Sequence, residues 1–213
     1  MELAQPRFAG RSLFVASANT QPPGIDSAQI VSDTSLEAVI TRAKWALRDE
    51  LSRHPRNGLR TAYKYYPTDT HNTVPLLATY DALHFLFQPY ALSPGATVEL
   101  FGPTSKAENA ALSLEMHYRR VTAQMGYVAL PPEPFVNEFA YSLLQDDKAA
   151  RALGFFQLNV RSYPASFNAH DSLGDCYLEL GKRSLAADSY TKALQLKENP
   201  DTRQKLKQLQ KKK

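Results

Sequence analysis

"LRTAYKYYPTDTHNTVPLLATYDALHFLF", residues 59–87, joins two patterns of different period. Its first part, residues 59–67, is rich in β-branched and aromatic residues and predicts a β-strand. Its last part, from about Pro75 to Phe87, predicts a helix, because proline suits the first helical turn and an apolar run follows it. The segment between them holds Asp69 and His71. A strand that leads through a short polar turn into a helix is typical of α/β proteins.

The same order occurs once before in the chain. "SLFVASA", residues 12–18, is a short uncharged run of small and β-branched residues, which predicts a strand buried on both faces, as in parallel sheets. Residues 35–52 carry apolar side chains at helical spacing, and Ser35 or Thr34 is the expected N-cap. The repeated order predicts two parallel strands with flanking helices, which is a partial α/β fold.

The type of secondary structure that the sequence predicts changes further along the chain. From about residue 104 onward the patterns are helical with loop breaks, and strand patterns disappear. We therefore expect a mixed fold with three regions: an α/β segment at residues 1–92, a linker with a bridging helix at 93–132, and an all-α domain at 133–213.

The all-α region contains a repeat of 34 residues. Ala152 aligns with Ala186, and Phe156 aligns with Tyr190. The second copy, residues 167–200, resembles a tetratricopeptide repeat at its small and large packing positions, which are Leu173, Gly174, Tyr177, Gly181, Ala186, Tyr190 and Ala193. His170 and Pro200 depart from that pattern. The resemblance implies paired antiparallel helices with a concave surface that could bind a peptide, closed by a basic capping helix from about Asp201.

The charge of the chain is unevenly distributed. The net charge is +4, but residues 203–213 carry six basic residues and no acid, so residues 1–202 hold 19 basic and 21 acidic residues. This distribution favours a solvated helix end, and we expect neither a nucleic-acid nor a membrane partner. The first residues do not form a signal peptide, although the intact protein could be exported, and the localisation stays open. Cys176 is the sole cysteine and forms no internal disulfide.

His71 is the candidate catalytic residue, because ligands bind where parallel strands of an open α/β sheet end. A histidine there can relay a proton between a serine and its substrate. Three aspartates are candidate partners: Asp26 and Asp33 follow the first strand, and Asp69 precedes His71 by two residues. Each of them also suits a turn or a helix cap. The other histidines lack ligand-like spacing, so we expect no metal and no cofactor.

"YYPTDTHNTVPLLATYDALHFLF", residues 65–87, resembles the segment around the catalytic histidine in bacterial esterases of the siderophore-esterase and putative-esterase type. Those α/β-hydrolases carry Tyr-Tyr-Pro, an acidic turn and His-Gly-Ser-Val-Pro, whereas Asn72 and Thr73 stand here in place of Gly-Ser. "RSLFVASAN" resembles the strand before the triad acid, and "PPEPFVNEFAYSLL" resembles a helical extension found on some members. The resemblance implies hydrolysis of a carboxylic ester, with His71 as general base.

The nucleophile of that family is missing from the chain. None of the nine glycines belongs to a Gly-x-Ser-x-Gly motif, and the resemblance covers only the C-terminal part of the family's length. We therefore expect a fragment or the product of a split or decayed gene, inactive alone. It would be completed by the missing N-terminal hydrolase half or by self-association through residues 11–18 and 59–66. The alternative is a non-catalytic interaction or self-association module built on the helical repeats.

Overall fold

The computed structural model describes residues 7–20, 27–102 and 107–211. In chain order its elements are β1 (Ser12–Ala18), α1 (Ser27–Ser32), α2 (Leu36–Arg53), β2 (Arg60–Tyr66), α3 (Val74–Phe87), α4 (Pro94–Phe101), α5 (Ala107–Met125), α6 (Glu133–Gln145), α7 (Ala149–Ser162), α8 (Phe167–Glu179), α9 (Arg183–Leu196) and α10 (Pro200–Lys211). The chain divides into two compact units. The first comprises Met1–Ala91 with Val121–Val128, and the second comprises Leu92–Arg120 with Ala129–Lys213.

The first unit contains the predicted parallel strands. β1 pairs with β2 so that Ser12 lies opposite Arg60 and Ala18 lies opposite Tyr66. α1 and α2 lie between the two strands in sequence, and α2 is capped by Ser35, whose side-chain oxygen accepts a hydrogen bond from the backbone N–H of Ala38. The structure thus confirms the parallel strands and selects Ser35 rather than Thr34 as the N-cap.

One helix lies on each face of this sheet. On one face, the ring of Phe14 lies 5.8 Å from the ring of Phe85 in α3, measured between centroids. Side chains alternate along a strand, so the neighbouring residues of β1 and β2 point to the other face. There, Tyr63 and Tyr65 line a space together with Trp45 of α2. The first unit is therefore a partial α/β sandwich with a helix on each side.

Few residues of the strands and of α3 in the first unit are buried. We expected β1 to be buried on both faces, but only Ser17 and Ala18 are buried and Ala16 is exposed. No residue of α3 is buried, and Leu76 is 81% exposed. The expectation for β1 was wrong because the helices cover its faces incompletely: cavities lie between β1 and α2, and no residue of α3 is buried.

The helical core of the second unit is built from helices that follow one another in sequence. α6 and α8 begin 34 residues apart, at Glu133 and Phe167, and α7 and α9 show the same separation. Residues aligned by the sequence repeat are fully buried in both copies, namely Ala152, Phe156, Ala186 and Tyr190. The aligned positions therefore belong to the core of a two-fold repeated helical arrangement. Among the described residues, no helix is both long enough and apolar enough to cross a membrane.

Candidate functional site

The turn between β2 and α3 is held against the end of β1. The backbone oxygen of Tyr66 accepts hydrogen bonds from the N–H groups of Asn19 (3.1 Å) and Asp69 (3.4 Å). The N–H of Asn19 also reaches the backbone oxygen of Asp69 at 3.0 Å. These bonds tie the polar turn to the carboxyl ends of both strands. This is the edge where open α/β sheets bind their ligands.

His71 lies in this turn with its side chain exposed. It lines a cavity of about 430 Å³ together with Val74, with Ala16 and Ala18 of β1, with Thr20, and with three residues of α2, which are Glu37, Ile40 and Lys44. In the part of the chain that the structure describes, the imidazole forms no hydrogen bond and no ion pair.

The three candidate acids have different surroundings. Asp69 lies in the same turn as His71, but its carboxylate accepts a hydrogen bond from the hydroxyl of Thr73 at 3.0 Å. Asp33 lies before α2, where its carboxylate accepts hydrogen bonds from the backbone N–H and the hydroxyl of Ser35 (2.7 and 3.0 Å). Asp26 lies outside the described residues. The structure thus brings Asp69 and His71 into one turn and places Asp33 at a helix start.

The hydrogen bonds at Asp33 also affect its protonation. The backbone N–H and the hydroxyl of Ser35 hold the pKa of Asp33 below its usual value, and Arg42 contributes in the same direction. The carboxylate therefore stays ionised while it stabilises the start of α2. Such a role is typical of an aspartate that precedes a helix.

A hydrogen-bonded clamp joins β2 to α3 next to the turn. The buried hydroxyl of Tyr66 donates to the carboxylate of Asp81 at 2.6 Å, and the ammonium of Lys64 donates to the same oxygen at 2.7 Å. Burial, together with the neighbouring Asp81, raises the pKa of Tyr66 to about 12. The hydrogen bonds from Lys64 and Tyr66 lower the pKa of Asp81. Because the clamp fixes α3 against β2, it also fixes the turn that carries His71.

The sequence did not predict this clamp. The available signal was Asp81, which is the single acid of a mostly apolar helix. A carboxylate at such a position needs a donor from a neighbouring element. The donors lie 15 and 17 residues earlier in the chain, at Tyr66 and Lys64. Their pairing depends on how α3 packs on the sheet.

The clamp should make the stability of the protein depend on pH in the alkaline range. Folding favours the protonated phenol of Tyr66, because its pKa is about 12 in the folded protein and about 10 in an unfolded chain. The resulting stability is present below about pH 10 and is lost as the pH rises towards about 12. We therefore expect Tyr66→Phe to destabilise the protein at about pH 8, and the difference from the native protein to shrink by about pH 11. Urea unfolding at the two pH values measures it.

Tyr65→Phe is the matched control, since Tyr65 is the adjacent residue of β2 but is half exposed. We expect its effect on unfolding at about pH 8 to be small. Equal destabilisation by Tyr65→Phe and Tyr66→Phe at this pH would contradict the role assigned to the clamp.

The second unit contains a separate, partly buried polar cluster around Asp175 of α8. The hydroxyls of Tyr141 and Tyr190 donate to its two carboxylate oxygens at 2.8 and 2.7 Å. The ammonium of Lys205 in α10 donates to Asp175 and to Asp171, in both cases at 2.8 Å. We call these five residues the Asp175 cluster. It joins four helices, α6, α8, α9 and α10.

The charges of the Asp175 cluster support one another. Burial, with Asp175 adding to it, raises the pKa of Tyr190 above its usual value. Burial disfavours the ammonium of Lys205, but the hydrogen bonds to Asp171 and Asp175 outweigh it, so the pKa of Lys205 is raised. The cluster therefore keeps its phenol and ammonium protonated near neutral pH. Within the described residues, no group of three or more histidine, cysteine or acidic side chains has the geometry to hold a metal ion.

Comparisons with known proteins give a fold and no activity. No protein-family model and no curated protein matches the chain. An uncharacterised protein from Capnocytophaga ochracea shares 14% identity and a TM-score of 0.53 over 95% of this chain and 55% of its own. An IroE-like serine hydrolase from Shewanella oneidensis shares 20% identity and a TM-score of 0.47 over 71% of this chain and 42% of its own. The chain thus spans about half the length of these proteins, and the first likeness indicates a shared fold.

Proposed function

We propose that the first unit is the C-terminal portion of a serine esterase of the α/β-hydrolase type, and that His71 is its triad histidine. The observation that carries this proposal is the position of His71, exposed beside a cavity in the turn that follows the second of two parallel strands. Catalytic groups of open α/β sheets lie at this edge. The esterase-like sequence around His71 supports the same assignment.

In the complete enzyme, His71 acts twice. Its imidazole takes the proton of the serine hydroxyl as the oxygen attacks the ester carbonyl, and then returns a proton to the leaving alkoxide. The serine comes from polypeptide outside these 213 residues, because the sequence contains no Gly-x-Ser-x-Gly motif. Asp26, Asp33 and Asp69 are the candidates for the acid: both carboxylate oxygens of Asp33 accept hydrogen bonds from Ser35, and one oxygen of Asp69 accepts a hydrogen bond from Thr73.

Ester hydrolysis tests the proposal in two steps. The chain alone should hydrolyse p-nitrophenyl butyrate no faster than its His71→Ala variant, because it lacks a nucleophile. The reading frame upstream of Met1 should encode a Gly-x-Ser-x-Gly motif, and joining that segment to the chain should produce turnover. His71-dependent turnover by the chain alone would contradict the assignment of the serine. An upstream frame without the motif, or a joined polypeptide without turnover, would contradict the esterase proposal.

A second candidate function rests on the second unit. We propose that residues 133–196 are tetratricopeptide-like repeats that bind a peptide or mediate self-association. The support is the separation of 34 residues between the corresponding helix starts, with aligned residues buried in both copies. The ester-hydrolysis test separates the two candidate functions. If the chain is an interaction module, no ester hydrolysis is expected after the upstream segment is joined.

A further inference from the structure

We propose that Asn19 is a positioning residue for His71, because it anchors the turn that carries the imidazole to the end of β1. This inference rests on the proposed function, since it names a residue that acts on the reaction through the histidine. It is carried by the hydrogen bonds of the Asn19 side chain and backbone, and by the bonds that continue from them through the turn.

Asn19 is the first residue after β1, and backbone carbonyls from the end of β2 and the following turn converge on it. Its side-chain amide nitrogen, Nδ2, donates to the backbone oxygen of Pro67 at 3.0 Å. Its backbone N–H is shared between the oxygens of Tyr66 (3.1 Å) and Asp69 (3.0 Å). Asn19 therefore holds the chain where it leaves β2 and again two residues before His71.

The side-chain bond of Asn19 fixes a residue that the pairing of the strands does not reach. β2 ends at Tyr66, opposite Ala18, so the carbonyl of Pro67 lies beyond the last pair of the parallel register. Proline has no backbone N–H, so hydrogen bonds can hold Pro67 only through its carbonyl. The amide of Asn19 supplies the donor for that carbonyl and thereby fixes the first residue of the turn.

A second set of hydrogen bonds, inside the turn, connects the anchored carbonyls to His71. The hydroxyl of Thr73 donates to the carboxylate of Asp69 and accepts from the backbone N–H of Thr70, both at 3.0 Å. The N–H of Val74 donates to the backbone oxygen of Thr70, also at 3.0 Å. His71 lies within the segment that these bonds close, so a displacement of the turn at its anchor moves the histidine with it.

An amide suits the position of Asn19, because it donates a hydrogen bond without carrying a charge. A carboxylate of the same shape would place an oxygen against the carbonyl of Pro67 and would have no donor. The position of the turn matters to the proposed reaction, since the imidazole has to lie within hydrogen-bond reach of the serine hydroxyl. A displacement of about 1 Å can lower the rate about 100-fold. A residue that fixes the turn therefore contributes to catalysis without contacting the ester.

Hydrogen exchange and NMR relaxation of the chain itself test the anchor. Asn19→Ala removes the side-chain donor, and Asn19→Asp keeps the shape of the side chain but not the donor. In both variants we expect the amides of Asp69 and Val74 to exchange about two- to tenfold faster, which is the range that corresponds to the loss of one hydrogen bond. The backbone order parameter of His71 should fall below the value of about 0.85 that is typical of a rigid backbone.

Asn57→Ala is the matched control for these measurements. Asn57 also lies in a turn next to β2, but at the other end of the strand, where its side-chain oxygen accepts a hydrogen bond from the N–H of Leu59 at 2.8 Å. We expect Asn57→Ala to leave the exchange of the Asp69 amide and the order parameter of His71 unchanged. If both Asn19 variants also leave these two quantities unchanged, the positioning role is overturned, whatever the ester-hydrolysis test shows.

The kinetics of the polypeptide joined to its upstream segment give a second readout. With p-nitrophenyl butyrate, we expect both Asn19 variants to lower kcat about tenfold and to change KM by less than about twofold, because Asn19 acts through His71 and does not contact the ester. Asn57→Ala should change neither constant. A kcat that both Asn19 variants leave unchanged would overturn the proposal. A native joined polypeptide without turnover would instead contradict the esterase proposal, and hydrogen exchange would still decide whether Asn19 anchors the turn.

Discussion

Asp175→Ala is expected to destabilise the second unit by about 3 kcal/mol, because leaving a donor in a protein interior without its acceptor costs about 1–3 kcal/mol and Asp175 serves three donors. The substitution leaves the hydroxyls of Tyr141 and Tyr190 without their acceptor and removes one of the two carboxylates that hold Lys205. Tyr190 is fully buried, so its hydroxyl loses an acceptor in the interior of the unit. The loss is measured as the change in the free energy of urea unfolding.

Asp188→Ala provides the matched control for this prediction. Asp188 lies on α9 of the same unit, with its side chain exposed, and we expect a change within about 0.5 kcal/mol. A double-mutant cycle adds a sharper test. Tyr190→Phe should destabilise the native protein but have a much smaller effect when Asp175 is already alanine. Equal effects of Asp175→Ala and Asp188→Ala would show that the Asp175 cluster does not stabilise the unit.

The elements with strong local patterns were predictable from the sequence. β1, α2, β2 and α3 lie within one or two residues of their predicted bounds. Their signals are local, since alternation, helical spacing and capping residues act over a few positions. α4 was missed although it carries such a signal: Ser93 is its N-cap and Pro94 its first residue. We did not predict α4 because it is short and lies in a region that we expected to be a linker.

Close packing at the repeat was also predictable. We expected Gly174 to leave room for a large neighbour, and a Cβ added there would lie 2.4 Å from Cε1 of Tyr190. The polar contacts of the same region were not predictable. The Asp175 cluster draws on four helices, and its residues span positions 141–205. Which carboxylate contacts which phenol depends on how those helices pack, and a local sequence pattern does not reveal that packing.

The candidate site was also partly predictable from the sequence and partly not. The position of His71 after a strand and before a helix follows from local patterns, and the structure places it there with its side chain exposed. The carboxylate contacts of Asp69 and Asp33 depend on side-chain directions within their turns. The sequence therefore predicted the candidate acids. The structure shows that Thr73 donates a hydrogen bond to Asp69 and that Ser35 donates one to Asp33.

His71→Ala is expected to have the largest effect of all, once the chain is joined to the segment that carries the serine. Without the imidazole, the serine hydroxyl keeps its proton and the leaving alkoxide has no acid. Loss of the histidine from a serine triad lowers kcat on the order of 10⁶-fold. We expect a decrease of this order for p-nitrophenyl butyrate, with a much smaller change in KM, because His71 acts on the reacting atoms and contributes little to binding.

His54→Ala is the control for this measurement. His54 is also exposed, follows α2 and pairs with Glu50 at 3.0 Å, so its loss should leave kcat within about twofold, as for other surface positions away from a site. A joined polypeptide that keeps its turnover after His71→Ala would contradict the assignment of His71, even if the polypeptide is an esterase. The assignment of the histidine and the assignment of the enzyme class can therefore fail separately.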